Sequence, residues 1–144
     1  MLRIARTTDA AELASLATEL GYPSTAADVE RRLPPLLENP EHLIIVATDS
    51  DDRAIGWLHA VVRRQPELDA FVQIAGLVVA EPHRGTGIGT RLLEHAERWA
   101  SQSGIHTVRV HSNATRELAH RFYERAGYSS AKTSRLFTKT LRKD

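Results

Sequence analysis

The sequence predicts an α/β (α+β) domain built around one mixed sheet, and three observations carry that prediction. Hydrophobic periodicity alternates along the 144 residues between the helical and the strand period. The elements run strand, two helices, three strands, then helix, strand, helix and strand. The strand at 71–79 is nearly apolar at its end (Leu77, Val78, Val79), as expected of a sheet covered on both faces.

Residues 2–6 read as a short strand. Asp9 with Glu12 resembles a capping box, opening a helix whose Leu13, Leu16, Ala17 and Leu20 share one face and which Gly21 closes. Thr25 with Asp28 caps a second helix carrying Val29 and Leu33, which Pro34-Pro35 must bend or end. The β-rich runs 43–48 and 54–62 flank the turn-prone Asp49-Ser50-Asp51-Asp52 and read as an antiparallel hairpin. A loop around Pro66 leads to the strand at 71–79. From Gly87 a helix places Ile88, Leu92, Leu93, Ala96, Trp99 and Ala100 on one stripe until Gly104. Residues 107–111 form a further strand. Residues 116–126 form a helix with Leu118, Ala119, Phe122 and Tyr123 inward, stopped by Gly127, and 135–141 alternate like a final strand. No repeat or linker interrupts the chain, so residues 1–144 are expected to be one domain.

Composition narrows the function. Lys plus Arg (19) nearly cancels Asp plus Glu (18), which gives no general pull toward nucleic acid, and the pairs Arg31-Arg32 and Arg63-Arg64 read as solvated faces. The absence of cysteine excludes disulfides, thiolate zinc sites and a cysteine nucleophile. No apolar run approaches the roughly 20 residues of a membrane span, and the opening residues lack a signal-peptide core, so a soluble, cytoplasmic protein is expected. Metal is not expected either. His106 and His111 lie five apart on a strand and so on opposite faces, and Glu117-x-x-His120 lacks partner helices. No G-x-S-x-G elbow occurs.

The chemistry concentrates in residues 74–93, IAGLVVAEPHRGTGIGTRLL, where Gly85, Gly87 and Gly89 stand between a buried strand and an amphipathic helix. The first amides of a helix have no partner within it and its dipole is positive there, so a phosphate can accept several backbone hydrogen bonds if no side chain blocks its approach. Thr86 and Thr90 can add hydroxyl donors and Arg84 a charge. A plain structural turn would also use glycine, but three glycines in five residues at this junction favour an anion site. The dinucleotide fingerprint does not fit, because Thr90 stands where its third glycine belongs and no acid lies between Trp99 and Asn113. The P-loop does not fit, because no lysine occurs before Lys132.

Arg84-Gly85-Thr86-Gly87-Ile88-Gly89 resembles the R/Q-x-x-G-x-G/A segment of the GCN5-related N-acetyltransferase superfamily. Gly76-Leu77-Val78-Val79 resembles that family's bulged fourth strand, and Ser112-Asn113 with Ala119-His120-Arg121-Phe122-Tyr123-Glu124 and Gly127-Tyr128 its second cofactor segment. The resemblance implies a mixed sheet of about six to seven strands flanked by about four helices. It also implies acetyl-coenzyme A as co-substrate, its pyrophosphate on residues 84–90 (Arg84, Gly85, Thr86, Gly87, Ile88, Gly89, Thr90) and its pantetheine along the backbone of Leu77, Val78 and Val79, where an N–H polarises the thioester. An amine then attacks directly, without a covalent enzyme intermediate. Tyr123 is implied as the acid that protonates the departing thiolate; its other reading is a core aromatic beside Phe122. Asn113 either touches the cofactor or caps the following helix.

The general base is less defined. Where many members carry glutamate, Gln73 stands here, followed by Ala75, and an amide does not accept a proton at neutral pH. Glu67, Asp69, His59 and His111 are candidates, each also explicable as loop charge or sheet surface. The expected acceptor is a small-molecule amine in a pocket formed by the first two helices and the 67–71 loop. A peptide or protein amine, or a non-catalytic acyl-coenzyme A module, are the alternatives. The 135–141 strand can pair across a homodimer, by analogy with relatives.

Overall fold

The acidic turn folds as its residues require. The Asp49 carboxylate accepts from the amides of Asp51 and Arg53, and Asp52 adopts a left-handed φ of 62°, which a short polar side chain tolerates. From it leave β2 (His42–Thr48) and β3 (Ala54–Gln65) as an antiparallel hairpin. The structure, a computed structural model, describes residues 1–111 and 117–142. The chain forms two compact units, Met1–His111 and Ser112–Asp144.

In the first unit β1 (Leu2–Ile4) and β4 (Leu68–Val79) flank the hairpin antiparallel, and β5 (Val108–Val110) joins β4 in parallel, in the order β1-β2-β3-β4-β5. Among the described residues the mixed sheet thus has five strands rather than six to seven. The alternating residues 135–141 take no strand, and Leu136, Phe137 and Leu141 lie exposed. Alternation supplies an apolar face, but a strand also needs a neighbour for its ladder.

Two faces of the sheet are covered. Helices α1 (Ala10–Leu20) and α2 (Ala26–Leu37) pack with Ile44, Val46 and Trp57 through Leu13 and Leu33. Helix α3 (Ile88–Gln102) crosses between β4 and β5 and contacts β2, β3 and β4. It covers the opposite face, where Ile45, Leu58 and Val72 are fully buried along with its own Leu92 and Ala96.

Local signals at the helix starts divide. Thr25 and Asp28 exchange both capping bonds as expected. The Asp9–Glu12 box does not form: Asp9 reaches back to the Arg6 amide at 2.7 Å and takes the Arg3 guanidinium in a fork at 2.8 Å on both oxygens. A charged fork outweighs a neutral cap, and a 3-10 turn (Thr7–Asp9) precedes α1 instead. Pro34 and Pro35 do not end α2 at their position; the helix runs on to Leu37. Their rings remove donors for the carbonyls of Glu30 and Arg31, and both of those residues are exposed to water.

Glycine 76 is dictated by packing. A Cβ there would sit 2.7 Å from the Trp57 ring. Gly76→Ala is expected to cost roughly 1–3 kcal/mol by forcing the indole aside, visible as a lower denaturant midpoint; an unchanged midpoint would refute the close fit.

The second unit holds α4 (Glu117–Arg125), followed by Gly127 at φ 94°. Phe122 and Tyr123 are half-buried as expected, whereas Leu118 is 79% exposed, so the inward stripe is shorter than periodicity suggested.

Candidate functional site

Register positions the site. β3 pairs with β4 as His59 opposite Gly76 and Ala60 opposite Ile74, which leaves Ala75 as one extra residue, a β-bulge. Pairing with β5 covers only 72–74, so among the described residues β4 has no partner on that side from Ala75 onward. The Ala80 amide donates to Ile55 of β3 at 2.8 Å. By alternation the amides of Leu77 and Val79 face the open side. The Val79 carbonyl faces the same way and accepts from Arg84 Nε at 2.9 Å.

The open edge runs directly into the glycine turn. Gly85 (φ 78°) and Gly87 (φ 87°) both need left-handed backbone, and the space where either would carry a Cβ is empty. Gly89 needs no such freedom, because it lies in the first turn of α3. The first bond of that helix runs from the Arg91 amide to the Gly87 carbonyl, so the amides of Ile88, Gly89 and Thr90 precede the ladder. Thr90 is exposed beside them. The Thr86 hydroxyl donates to the His83 carbonyl at 2.6 Å and so shapes the turn. The Arg84 guanidinium is partly answered by Glu19 at 3.7 Å. This arrangement can hold an anion on backbone donors and lay an extended chain along Leu77–Val79.

On the face shared with α1 and α2, the register aligns Trp57, Gly76, His59, Gln73, Arg63, Phe71 and Arg109. Trp57 Nε1 is buried with no hydrogen-bond partner among the described residues. His59 Nε2 lies 2.8 Å from His42 Nδ1, the two rings stacked. Burial pushes the His59 imidazole down to about 4, helped by the neighbouring His42 and Arg63, so it is neutral at physiological pH. Of the other candidate bases, Glu67 and Asp69 are exposed at the β3–β4 turn, and His111 is exposed at the end of the first unit. His106 and His111 both fall outside β5, so the strand parity expected for them does not apply. No group of three or more metal-ligating side chains occurs among the described residues.

Sequence reasoning missed Trp57, Gly76 and the split of Arg63-Arg64. That pair separates: Arg64 reaches Glu41 at 2.8 Å, and Arg63 Nε reaches Gln73 at 2.8 Å. Adjacent strand residues point to opposite faces, a signal that was available once the strand was extended past 62.

In the second unit the Tyr123 ring meets Phe122 and Tyr128 edge-on, at 5.1 and 5.8 Å between centroids, and its carbonyl accepts from the Tyr128 amide. Asn113 lies outside the described residues.

Comparison with known proteins agrees with this geometry. The family model described as acetyltransferase (GNAT) matches residues 8–128. An aminoalkylphosphonate N-acetyltransferase of Salmonella typhimurium is 44% identical over 69 residues, 48% of this chain and 44% of that protein, so the match spans less than half of the relative's length. A structure titled transcriptional regulator from Bacillus halodurans superposes with a TM-score of 0.87 at 21% identity, covering 96% of this chain and 99% of that one. An aminoglycoside 6'-N-acetyltransferase from Acinetobacter baumannii gives 0.85 at 18% identity, covering 98% of each. At those identities the two structures speak for the fold. Among the described residues no helix is long and apolar enough to cross a membrane.

Proposed function

The chain belongs to the acetyltransferase (GNAT) family, and from that premise we propose that it is an N-acetyltransferase that moves acetyl from acetyl-coenzyme A to the primary amine of a small molecule. The observation that carries this reading is the pair of left-handed glycines, Gly85 and Gly87, presenting the amides of Ile88, Gly89 and Thr90 beside the open edge of β4. The diphosphate of the cofactor fits those amides, and the Leu77 or Val79 N–H is oriented to polarise a thioester carbonyl drawn up along the strand. The names of an aminoalkylphosphonate and an aminoglycoside acetyltransferase among its likenesses support a small amine as acceptor. We read residues 1–144 as one domain, supported by a family match that runs across both units.

The amine attacks the thioester carbon, the oxyanion that forms is held by a β4 amide, and collapse expels the coenzyme A thiolate. Tyr123 is assigned to protonate that thiolate, since a phenol of pKa about 10 donates to a thiolate of about 8.5 only slightly uphill. The half-buried ring is held edge-on between Phe122 and Tyr128. Tyr123→Phe is therefore expected to lower kcat roughly 100-fold with coenzyme A affinity unchanged. Thiol release across a panel of amines, run beside calorimetry with coenzyme A, tests both statements. Coenzyme A binding with no turnover on any amine would instead indicate an acyl-coenzyme A module.

A further inference from the structure

The geometry points to an anionic group on the acceptor, a carboxylate, phosphate or phosphonate at the far end of a long spacer from the amine, held by Arg63 and Arg109. This deepens the acetyltransferase reading and rests on it for the position of the amine. The two arginines come from different strands and are brought to one face by register: Arg63 stands opposite Phe71, and Gln73 stands beside Arg109. Each guanidinium is oriented by a neutral group. Arg63 donates through Nε to the Gln73 amide oxygen at 2.8 Å, and Arg109 lies 4.5 Å above the Phe71 ring.

Neither partner cancels a charge. The ion pairs among the described residues engage Arg3, Arg6, Arg31, Arg64 and Arg84, and leave Arg63 and Arg109 without a carboxylate. With Nε of Arg63 engaged by Gln73, its two terminal nitrogens remain as donors that suit an oxyanion. Both residues are exposed, while Phe71, beneath Arg109 and opposite Arg63, is buried. Gln73 now has a physical role distinct from a missing base: glutamate there would neutralise Arg63, whereas glutamine positions it and keeps its charge available.

The location fits a bifunctional substrate. Gln73 lies four residues before Leu77 on β4, about 13 Å at ~3.3 Å per residue, shortened by the bulge at Ala75. The Arg109 guanidinium leans toward Phe71, away from Leu77, so the substrate has to span that distance itself. An amine at Leu77 and an anion at the arginine pair are thus bridged by a long, extended aliphatic spacer.

Two measurements test this. Methylphosphonate, which has no amine, is titrated into the coenzyme A-loaded protein and followed by calorimetry. Saturable binding is expected, weakened at least tenfold in Arg63→Gln and in Arg109→Gln and unchanged in Arg64→Gln, which removes the neighbouring charge from the other face. No saturable binding, or equal loss in Arg64→Gln, overturns the inference. In the second, kcat/KM is compared for 8-aminooctylphosphonate and octylamine. The anionic amine is expected to be preferred at least tenfold, with the ratio falling toward one in either arginine variant; an equal ratio in all proteins overturns the inference. If methylphosphonate binds as expected and no amine is acetylated, the anion site stands and the acetyltransferase reading fails.

Discussion

Gly87→Val is expected to weaken coenzyme A association by roughly 1,000-fold, about 4 kcal/mol. Two effects add. Gly87 has φ 87°, a left-handed conformation that a β-branched residue adopts only at a cost of order 1–3 kcal/mol. Relaxing that strain rotates the peptide leading into α3 and turns away amides that would each give a charge-assisted bond to the diphosphate, worth about 1.5–3 kcal/mol. The new side chain also enters space that is empty at Gly87, through which the phosphates would approach in the proposed site. Gly89, which is helical, supplies the control: Gly89→Ala is expected to bind coenzyme A far better than Gly87→Val. Calorimetry with coenzyme A measures both. Comparable affinity of Gly87→Val and the parent protein would remove the anion site, and with it the proposed delivery of acetyl to β4.

Asp9→Ala is expected to destabilise the fold by about 3 kcal/mol, lowering Tm by roughly 10 °C. Asp9 is 4% exposed and accepts three bonds, two from Arg3 and one from the Arg6 amide. Removing it leaves the Arg3 guanidinium, itself only 13% exposed, with the more exposed Asp52 alone. Burial pushes the Asp9 carboxyl up, but the Arg3 fork, the Arg6 amide and their charges together hold it below the usual range. A depressed carboxyl contributes stability that is fully present above the unfolded value near 4 and is lost as pH falls through the folded value. Urea midpoints of parent and Asp9→Asn should therefore differ at pH 7 and converge as the pH drops below about 4. A difference that persists at pH 2 would mean that packing, not charge, is what Asp9 supplies.

Much of the fold was legible because short-range rules governed it. The hairpin at 49–52, the Thr25 cap, the α3 stripe and the glycine stops at 21 and 127 all depend on residues within one turn of each other. The expectations that failed were those settled by tertiary packing and pairing rather than by the local pattern. Asp9 is adjacent to a plausible local cap, yet Arg3 on a neighbouring strand captured it. Residues 135–141 alternate correctly but take no strand. Pro34-Pro35 do not end α2, because its amphipathic face, anchored by Leu33, carries the helix on to Leu37.

The sequence by itself determined the glycine turn, the apolar strand that feeds it and the balance of charge, because left-handed backbone, periodicity and composition are properties of neighbouring residues. Only the tertiary structure decided which edge of β4 lies open, that Trp57 requires Gly76, and that Arg63 and Arg109 share a face on either side of Gln73. Those depend on register between strands far apart in the chain, and a shift of one residue would send every one of those side chains to the opposite face.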